Sequence, residues 1–114
     1  MFDLDNITAE PVQENDLEEV VMGLIINSGQ ARSLAYTALK QAKQGDFETA
    51  RATMEQSRIA LSEAHRVQTQ LIESDEGRKM KVSLVLVHAQ DHLMTSMLAR
   101  ELVAELIELH EKVQ

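Results

Sequence analysis

Three long stretches of the chain carry apolar residues at the spacing of an α-helix, and none shows the two-residue alternation typical of a strand. They cover about residues 16–44, 46–73 and 79–112. Gly45 ends the first stretch, and a polar run around Gly77 separates the second from the third. Such short connections make successive helices antiparallel. The pattern predicts an all-α fold, an antiparallel up-down-up three-helix bundle, with residues 16–114 as a single domain.

Residues 1–15 show no sustained period and include the single proline, Pro11. We interpret them as a mobile N-terminal tail. Asn15 or Asp16 is expected to cap the first helix, because short polar side chains accept hydrogen bonds from the free N–H groups of a first helical turn.

The first two predicted helices each have an apolar stripe at heptad spacing. In the first helix the stripe changes from large to small residues, and small residues allow a facing helix to approach closely. The stripe of the first helix consists of Leu17, Val21, Leu24, Ser28, Ala31, Ala35, Ala38 and Ala42. The second stripe consists of Phe47, Ala50, Met54, Ser57, Leu61, Ala64, Gln68 and Leu71, opposite a charged face predicted to be solvated. His65 lies among those charges and is interpreted as an ordinary surface histidine. The first helix also carries Val20, Ile25, Ile26 and Leu34 outside its stripe, and a second apolar face predicts an oligomer.

The third predicted helix is apolar on nearly every side before residue 88, so it must be buried on more than one side. One of its heptad stripes, made of Leu84, Val87, Asp91, Met94 and Leu98, contains a single polar residue. A polar residue in that setting commonly fixes the register or the oligomeric state of packed helices. We expect this helix to meet copies of itself.

Composition narrows the class of protein. A chain of 114 residues with 44% apolar and 26% charged residues is typical of one soluble domain, and its three aromatic residues suit close helix packing. The formal net charge of −8 argues against nucleic acid as a partner, since phosphates require a basic face. The chain has no cysteine and no apolar run long enough to span a bilayer. Its first residues lack the basic region and apolar core of a secretory signal, so we expect none. We expect a cytoplasmic protein that does not insert into membranes.

Four polar side chains interrupt the third helix within a single run, His88, Gln90, Asp91 and His92. Asp91 and His92 are the i+3 and i+4 neighbours of His88, so the two imidazoles and the carboxylate share one surface, while Gln90 points elsewhere. Such groups are costly to bury, which favours a functional reason for their presence.

Three interpretations of this cluster compete. Both histidines could be ordinary residues hydrogen-bonded to Asp91 or to backbone. They could form a zinc pair similar to the H-x-x-E-H peptidase pattern, although Asp91 is shorter than the required Glu and no third ligand is evident. His88 could also be a nucleophile that attacks phosphorus, with Gln90, His92 and Thr95 as hydrogen-bond donors to the phosphoryl oxygens. Spacing alone does not separate the metal site from the nucleophile.

The chain resembles a known family over most of its length. Its residues 85–95, VLVHAQDHLMT, look like the active-site helix of the lactose/cellobiose-type enzyme IIA proteins of the bacterial sugar phosphotransferase system. Three further segments are similar to that family: 18–33, EEVVMGLIINSGQARS; 43–47, KQGDF; and 106–110, LIELH.

The resemblance implies a homotrimer of three-helix protomers, a nine-helix bundle. It implies that His88 accepts a phosphoryl group on Nε2 from the histidine-containing phosphocarrier protein and passes it to a cysteine of the cognate enzyme IIB. The membrane protein IIC then takes up a β-linked disaccharide such as N,N′-diacetylchitobiose or cellobiose. Asp91 matches an aspartate at the threefold axis, where three copies share one Mg²⁺, and Gln90 and His92 match residues that line the active site. The alternative is a non-catalytic trimeric adaptor or regulator on the same scaffold.

Overall fold

Three long helices make up the protein. The computed structural model describes residues 14–75 and 84–114, with side chains described for 18–73 and 84–114. Helix α1 spans Glu14–Lys43, α2 spans Phe47–Asp75 and α3 spans Leu84–Lys112. The predicted all-α three-helix fold is confirmed. Residues 1–13 of the predicted tail and the predicted start of the third helix, 79–83, lie outside the described residues.

The predicted N-cap of the first helix, Asn15 or Asp16, is wrong. Helix α1 already includes Glu14, so Asn15 and Asp16 lie inside its first turn.

The helices follow the predicted up-down-up order. Arg51 near the start of α2 pairs with Glu111 near the end of α3, with 2.7 Å between Nη1 and Oε2. Gln114 lies close to Gly45, the residue that ends α1. The end of α1, the start of α2 and the end of α3 therefore meet at one end of a rod of 57 × 24 × 19 Å.

The turn between α1 and α2 is a Schellman motif. Gly45 has a φ of 85°, which is the left-handed region that glycine adopts without a steric cost. The Gly45 N–H donates to the Ala42 carbonyl at 2.9 Å, and the Asp46 N–H donates to the Gln41 carbonyl at 3.0 Å. Asp46 then caps α2, since its Oδ1 accepts the Thr49 N–H at 3.3 Å. The predicted role of Gly45 as the residue that ends the first helix is confirmed.

Small residues fill the contact between α1 and α2. Within the α1 stripe, the exposed fraction is 0% at Ser28, Ala31, Ala35, Ala38 and Ala42. Ala50, Ser57 and Ala64 of the α2 stripe are buried equally completely. The Ser57 hydroxyl donates to the Ala31 carbonyl at 2.6 Å, so a polar side chain is accommodated without losing its hydrogen bond.

Helix α3 packs on the other two helices through a different face from its predicted stripe. Its buried residues are Leu86, Ala89, Leu93, Ser96, Val103 and Ile107. The predicted stripe of Leu84, Val87, Asp91, Met94 and Leu98 points outwards, as do Leu102, Leu106 and Leu109 farther along the helix. We call this outward set the α3 stripe. Ile26 on the second apolar face of α1 is also exposed, whereas Val20, Ile25 and Leu34 are half-buried.

Helix α2 presents its charged face to solvent, as predicted, and His65 is exposed on it. Arg58 pairs with Glu55 and Arg66 pairs with Glu63, each at 2.6 Å. Such exposed pairs contribute little to stability, because water and salt screen the attraction between the two charges. Within residues 14–75 and 84–114, none of the helices combines the length and apolar character needed to cross a membrane.

Candidate functional site

The predicted cluster of polar residues lies in the first half of α3. Ala89 and Leu93 are fully buried, at 0% exposed fraction, and fix the orientation of the helix on α1 and α2. Residues on either side of these anchors turn outwards because of the helical period. His88 and Asp91 are exposed, while Gln90 and His92 are half-buried.

His88 and His92 lie one turn apart with their imidazole rings nearly parallel. The ring centroids are 6.0 Å apart and the planes differ by 7°. Because His88 is exposed, a reacting group on another molecule can approach it from solvent. The half-buried His92 ring thus lies beside the accessible His88 ring, and this arrangement suits transfer of a group to His88.

His92 is held against α1. Its Nε2 lies beside Gly29, so close that a Cβ placed on Gly29 would be 3.2 Å from it. Burial lowers the pKa of His92 below its usual value, and repulsion from Arg32 and from the protonated form of His88 lowers it further, while Asp91 opposes them. The neutral imidazole, which can donate one hydrogen bond and accept another, is therefore favoured near pH 7.

Thr95 was predicted as a possible donor for phosphoryl oxygens. Its hydroxyl donates to the His92 carbonyl within α3, at 3.2 Å. This is the back-bonding that Ser and Thr commonly make in helices, and it holds Thr95 on its own helix in this state.

Asp91 lies on the α3 stripe between apolar neighbours and is exposed. Among the residues that the structure describes, no group of three or more carboxylates, histidines or cysteines is close enough to hold a metal ion. Within the described residues a single chain thus brings no complete ligand set to Asp91, and its metal-binding role stays a prediction.

Sequence reasoning missed two residues that contact or influence the cluster, Gly29 and Arg32 of α1. The available signal was the polar interruption Asn27-Ser28-Gly29-Gln30 in an otherwise apolar part of that helix. Periodicity cannot show that this interruption faces His92, because the contact joins different helices.

Comparisons with known proteins agree on one family. Residues 19–111 match the sequence profile described as "PTS system, Lactose/Cellobiose specific IIA subunit". The chain is 76% identical over 115 aligned positions to the "PTS system N,N'-diacetylchitobiose-specific EIIA component" of Escherichia coli K12, covering 100% of this chain and 99% of the relative. It is 41% identical over 99 positions to the "Lichenan-specific phosphotransferase enzyme IIA component" of Bacillus subtilis 168, covering 86% of this chain and 90% of that protein.

Solved structures of similar proteins have the same fold. A solution structure of the IIA(Chitobiose)–HPr complex from the Escherichia coli phosphotransferase system includes a chain with 79% identity and a TM-score of 0.78, covering 90% of this chain and 98% of that one. The crystal structure of the cellobiose-specific enzyme IIA from Bacillus anthracis has 43% identity and a TM-score of 0.81, with coverage of 90% and 93%. Sequence and structure together show that the chain belongs to the lactose/cellobiose-specific IIA family of the sugar phosphotransferase system.

Proposed function

We propose that the protein is the IIA phosphocarrier of a sugar phosphotransferase system and that His88 carries its phosphoryl group. The observation that carries this proposal is that His88 is exposed beside the half-buried, parallel ring of His92. Both histidines lie on the helix whose sequence resembles the active-site helix of the family. The donor is the histidine-containing phosphocarrier protein, because a similar protein has been solved in complex with HPr. The acceptor is a cysteine of the cognate enzyme IIB, which serves the membrane protein IIC.

The chemistry requires little beyond an accessible imidazole. The Nε2 lone pair of neutral His88 attacks phosphorus, a P–N bond forms, and the P–N bond to the phosphocarrier breaks with its electron pair returning to that imidazole. In the next step a cysteine thiolate of enzyme IIB attacks the same phosphorus, and the P–N bond to His88 breaks. We assign Gln90 and neutral His92 as hydrogen-bond donors to the phosphoryl oxygens, the supporting roles that the family resemblance gives them.

The α3 stripe supports assembly into a homotrimer. It exposes four apolar side chains next to Asp91, with exposed fractions of 85% for Leu84, 48% for Val87, 54% for Met94 and 55% for Leu98. A continuous apolar helix face is unfavourable in water and is stabilised by contact with another such face. Three copies that meet through this stripe would form the nine-helix bundle implied by the resemblance.

The same assembly supports a shared Mg²⁺ site at Asp91. Threefold symmetry would bring one carboxylate from each copy to one place on an apolar surface, and carboxylate oxygens are the ligands that Mg²⁺ prefers. The ion would neutralise three like charges there. Asp91 is the residue of this chain that would hold it.

Relatives point to N,N′-diacetylchitobiose as the transported sugar. The relatives named for that sugar are 76% identical to the chain, while those named for lichenan and cellobiose are 41% and 39% identical.

The family match and the acidic charge fit a role in the cytoplasm, where the other soluble components of such a system act.

Reconstituted phosphorylation tests the proposal. The chain is incubated with phosphoenolpyruvate, enzyme I and the phosphocarrier, and its intact mass is measured before and after addition of enzyme IIB. We expect one phosphoryl group per chain, which enzyme IIB then removes. A chain that accepts no phosphate but still binds these partners would be the non-catalytic adaptor instead.

A further inference from the structure

Gly29 occupies a position where glycine has a cost. It lies in the middle of α1, a helix of 30 residues, where glycine is less favourable than alanine. Its φ is not in the left-handed region, so the backbone does not require glycine. The reason for it must be the space that it leaves.

That space is occupied by one ring atom. A Cβ on Gly29 would lie 3.2 Å from His92 Nε2, tighter than ordinary van der Waals contact, whereas a Cβ on Gly23 of the same helix would meet nothing within 4 Å. The imidazole of His92 can rest against α1 because residue 29 has no side chain. A methyl group there would displace Nε2 by a few tenths of an ångström.

The position of this ring matters for the neighbouring His88. The rings are parallel, and their centroids are 6.0 Å apart. A phosphoryl group on a ring nitrogen is tetrahedral, so its three oxygens cannot all lie in the plane of the His88 ring. At least one must project out of that plane, and an oxygen on the side of His92 lies nearer to that ring. Because an imidazole N–H lies in its own ring plane, this oxygen can accept a hydrogen bond from His92 only when the edge of the His92 ring faces it, so the position of that ring decides whether the bond forms.

We propose that Gly29 is a positioning residue for phosphoryl transfer, because the absence of a side chain at this position holds the His92 ring where it can donate a hydrogen bond to the phosphoryl group on His88. The inference rests on the proposed phosphocarrier function. Transfer rates are sensitive to small displacements, and about 1 Å can cost about 100-fold. For the smaller displacement here we expect a loss of about tenfold.

Single-turnover transfer from the phosphorylated phosphocarrier tests the inference. Gly29→Ala should lower the maximal rate about tenfold while leaving the phosphocarrier concentration at half-maximal rate unchanged, because the docking surface is intact. Gly23→Ala is the matched control and should transfer like wild type. In NMR spectra, the imidazole signals of His92 should shift in Gly29→Ala and stay unchanged in Gly23→Ala.

A double-mutant cycle separates positioning from general structural damage. If Gly29 acts through His92, adding Gly29→Ala to His92→Ala should have no further effect on the rate. The inference would be overturned if Gly29→Ala lowered the transfer rate as much in the His92→Ala protein as it does in wild type. It would also be overturned if Gly29→Ala alone transferred at the wild-type rate.

Two remaining outcomes are also informative. If Gly29→Ala alone does not fold, folding of the double variant would demonstrate the contact, and failure of both would overturn it. A wild-type chain that accepts no phosphate would instead contradict the proposed function, while the NMR comparison would still report on Gly29 and His92.

Discussion

The imidazole rings of His88 and His92 lie parallel, with 7° between their planes, yet His88 is exposed and His92 is half-buried against α1. The two histidines are one turn apart on the same helix and share one surface. Their different exposure separates their roles. A partner can reach His88 from solvent, while the less accessible His92 is suited to support a group that His88 carries.

We therefore expect His88→Gln to abolish phosphorylation. Glutamine is a good helix former and residue 88 is exposed, so the variant should keep the helical content of wild type. Its free energy of unfolding should lie within about 0.5 kcal/mol of the wild-type value. Intact mass after incubation with the phosphorylated phosphocarrier measures the outcome. His65→Gln, which removes an exposed histidine on α2, is the control and should accept phosphate normally. Phosphate on His88→Gln, attached to His92, His65 or His110, would show that the assignment is wrong.

The phosphocarrier and enzyme IIB should bind overlapping surfaces around His88, since both bring a reacting atom to the same nitrogen. Val85, one turn before His88 and 45% exposed, gives this surface an apolar contact. Both complexes should exchange rapidly, because a relay has to release its partners. Chemical-shift mapping with each partner measures the two footprints. Two separate footprints would contradict a single transfer site.

Asp91→Leu should stabilise the protein in the absence of a divalent cation. In a trimer three carboxylates would meet on the apolar α3 stripe, where repulsion and desolvation both disfavour the charged form. Leucine continues the stripe, and by analogy with other buried charges replaced by apolar residues the gain is about 1–4 kcal/mol. Thermal unfolding of both proteins, with magnesium and with chelator, should show a higher melting temperature and no dependence on magnesium for Asp91→Leu. Transfer at His88 should persist at least in part. A variant that melts below chelated wild type would mean that Asp91 makes a stabilising contact of another kind.

Leu98→Lys should dissociate the proposed trimer. It would place a charge from each copy inside the apolar contact of the α3 stripe, at a desolvation cost of several kcal/mol. Sedimentation should give the mass of one 12.8 kDa chain instead of three. Ile59→Lys is a matched control on α2, since Ile59 is 56% exposed and Leu98 is 55% exposed. The stripe is not the interface if Ile59→Lys dissociates the protein and Leu98→Lys does not.

Ser57→Ala should lower the free energy of unfolding by about 1 kcal/mol, the usual net contribution of a buried hydrogen bond. Ser57 donates to the Ala31 carbonyl at the contact of α2 with α1. Ser96 of α3 is equally buried, but within the described part of the chain its Oγ has no hydrogen-bond partner. Ser96→Ala makes the same chemical change and should be neutral or stabilising. Urea unfolding measures both, and equal losses would show that Ser57 gains nothing from its bond.

Much of the fold could be predicted from local chemistry. Gly45 and Asp46 end one helix and begin the next through their own backbone and side-chain preferences, so the sequence position alone identifies the turn. The stripes of α1 and α2 could be predicted because each of these helices is apolar mainly on one side. Helix α3 is apolar on several sides, and periodicity could not show that Leu93 faces the other helices while Met94 faces outwards.

The candidate site divides in the same way. His88, Asp91 and His92 could be predicted because they are close in sequence and share a helix face. The proximity of Gly29 and Arg32 to His92 could not be predicted, because it depends on how α1 lies against α3. A glycine in a helix indicates that space is needed, but the sequence does not name the group that needs it.

The buried alanines between α1 and α2 make this core sensitive to larger side chains but not to smaller ones. Ala31, Ala35, Ala38, Ala42 and Ala50 are all completely buried, and every replacement except glycine enlarges the side chain. Enlargement in a packed core costs about 1–3 kcal/mol and forces helices apart, whereas truncation to glycine removes just one methyl group. Displacement of α1 would also carry Gly29 away from His92. In a library of random variants, substitutions at these alanines should therefore abolish phosphoryl transfer more often than they abolish helical structure.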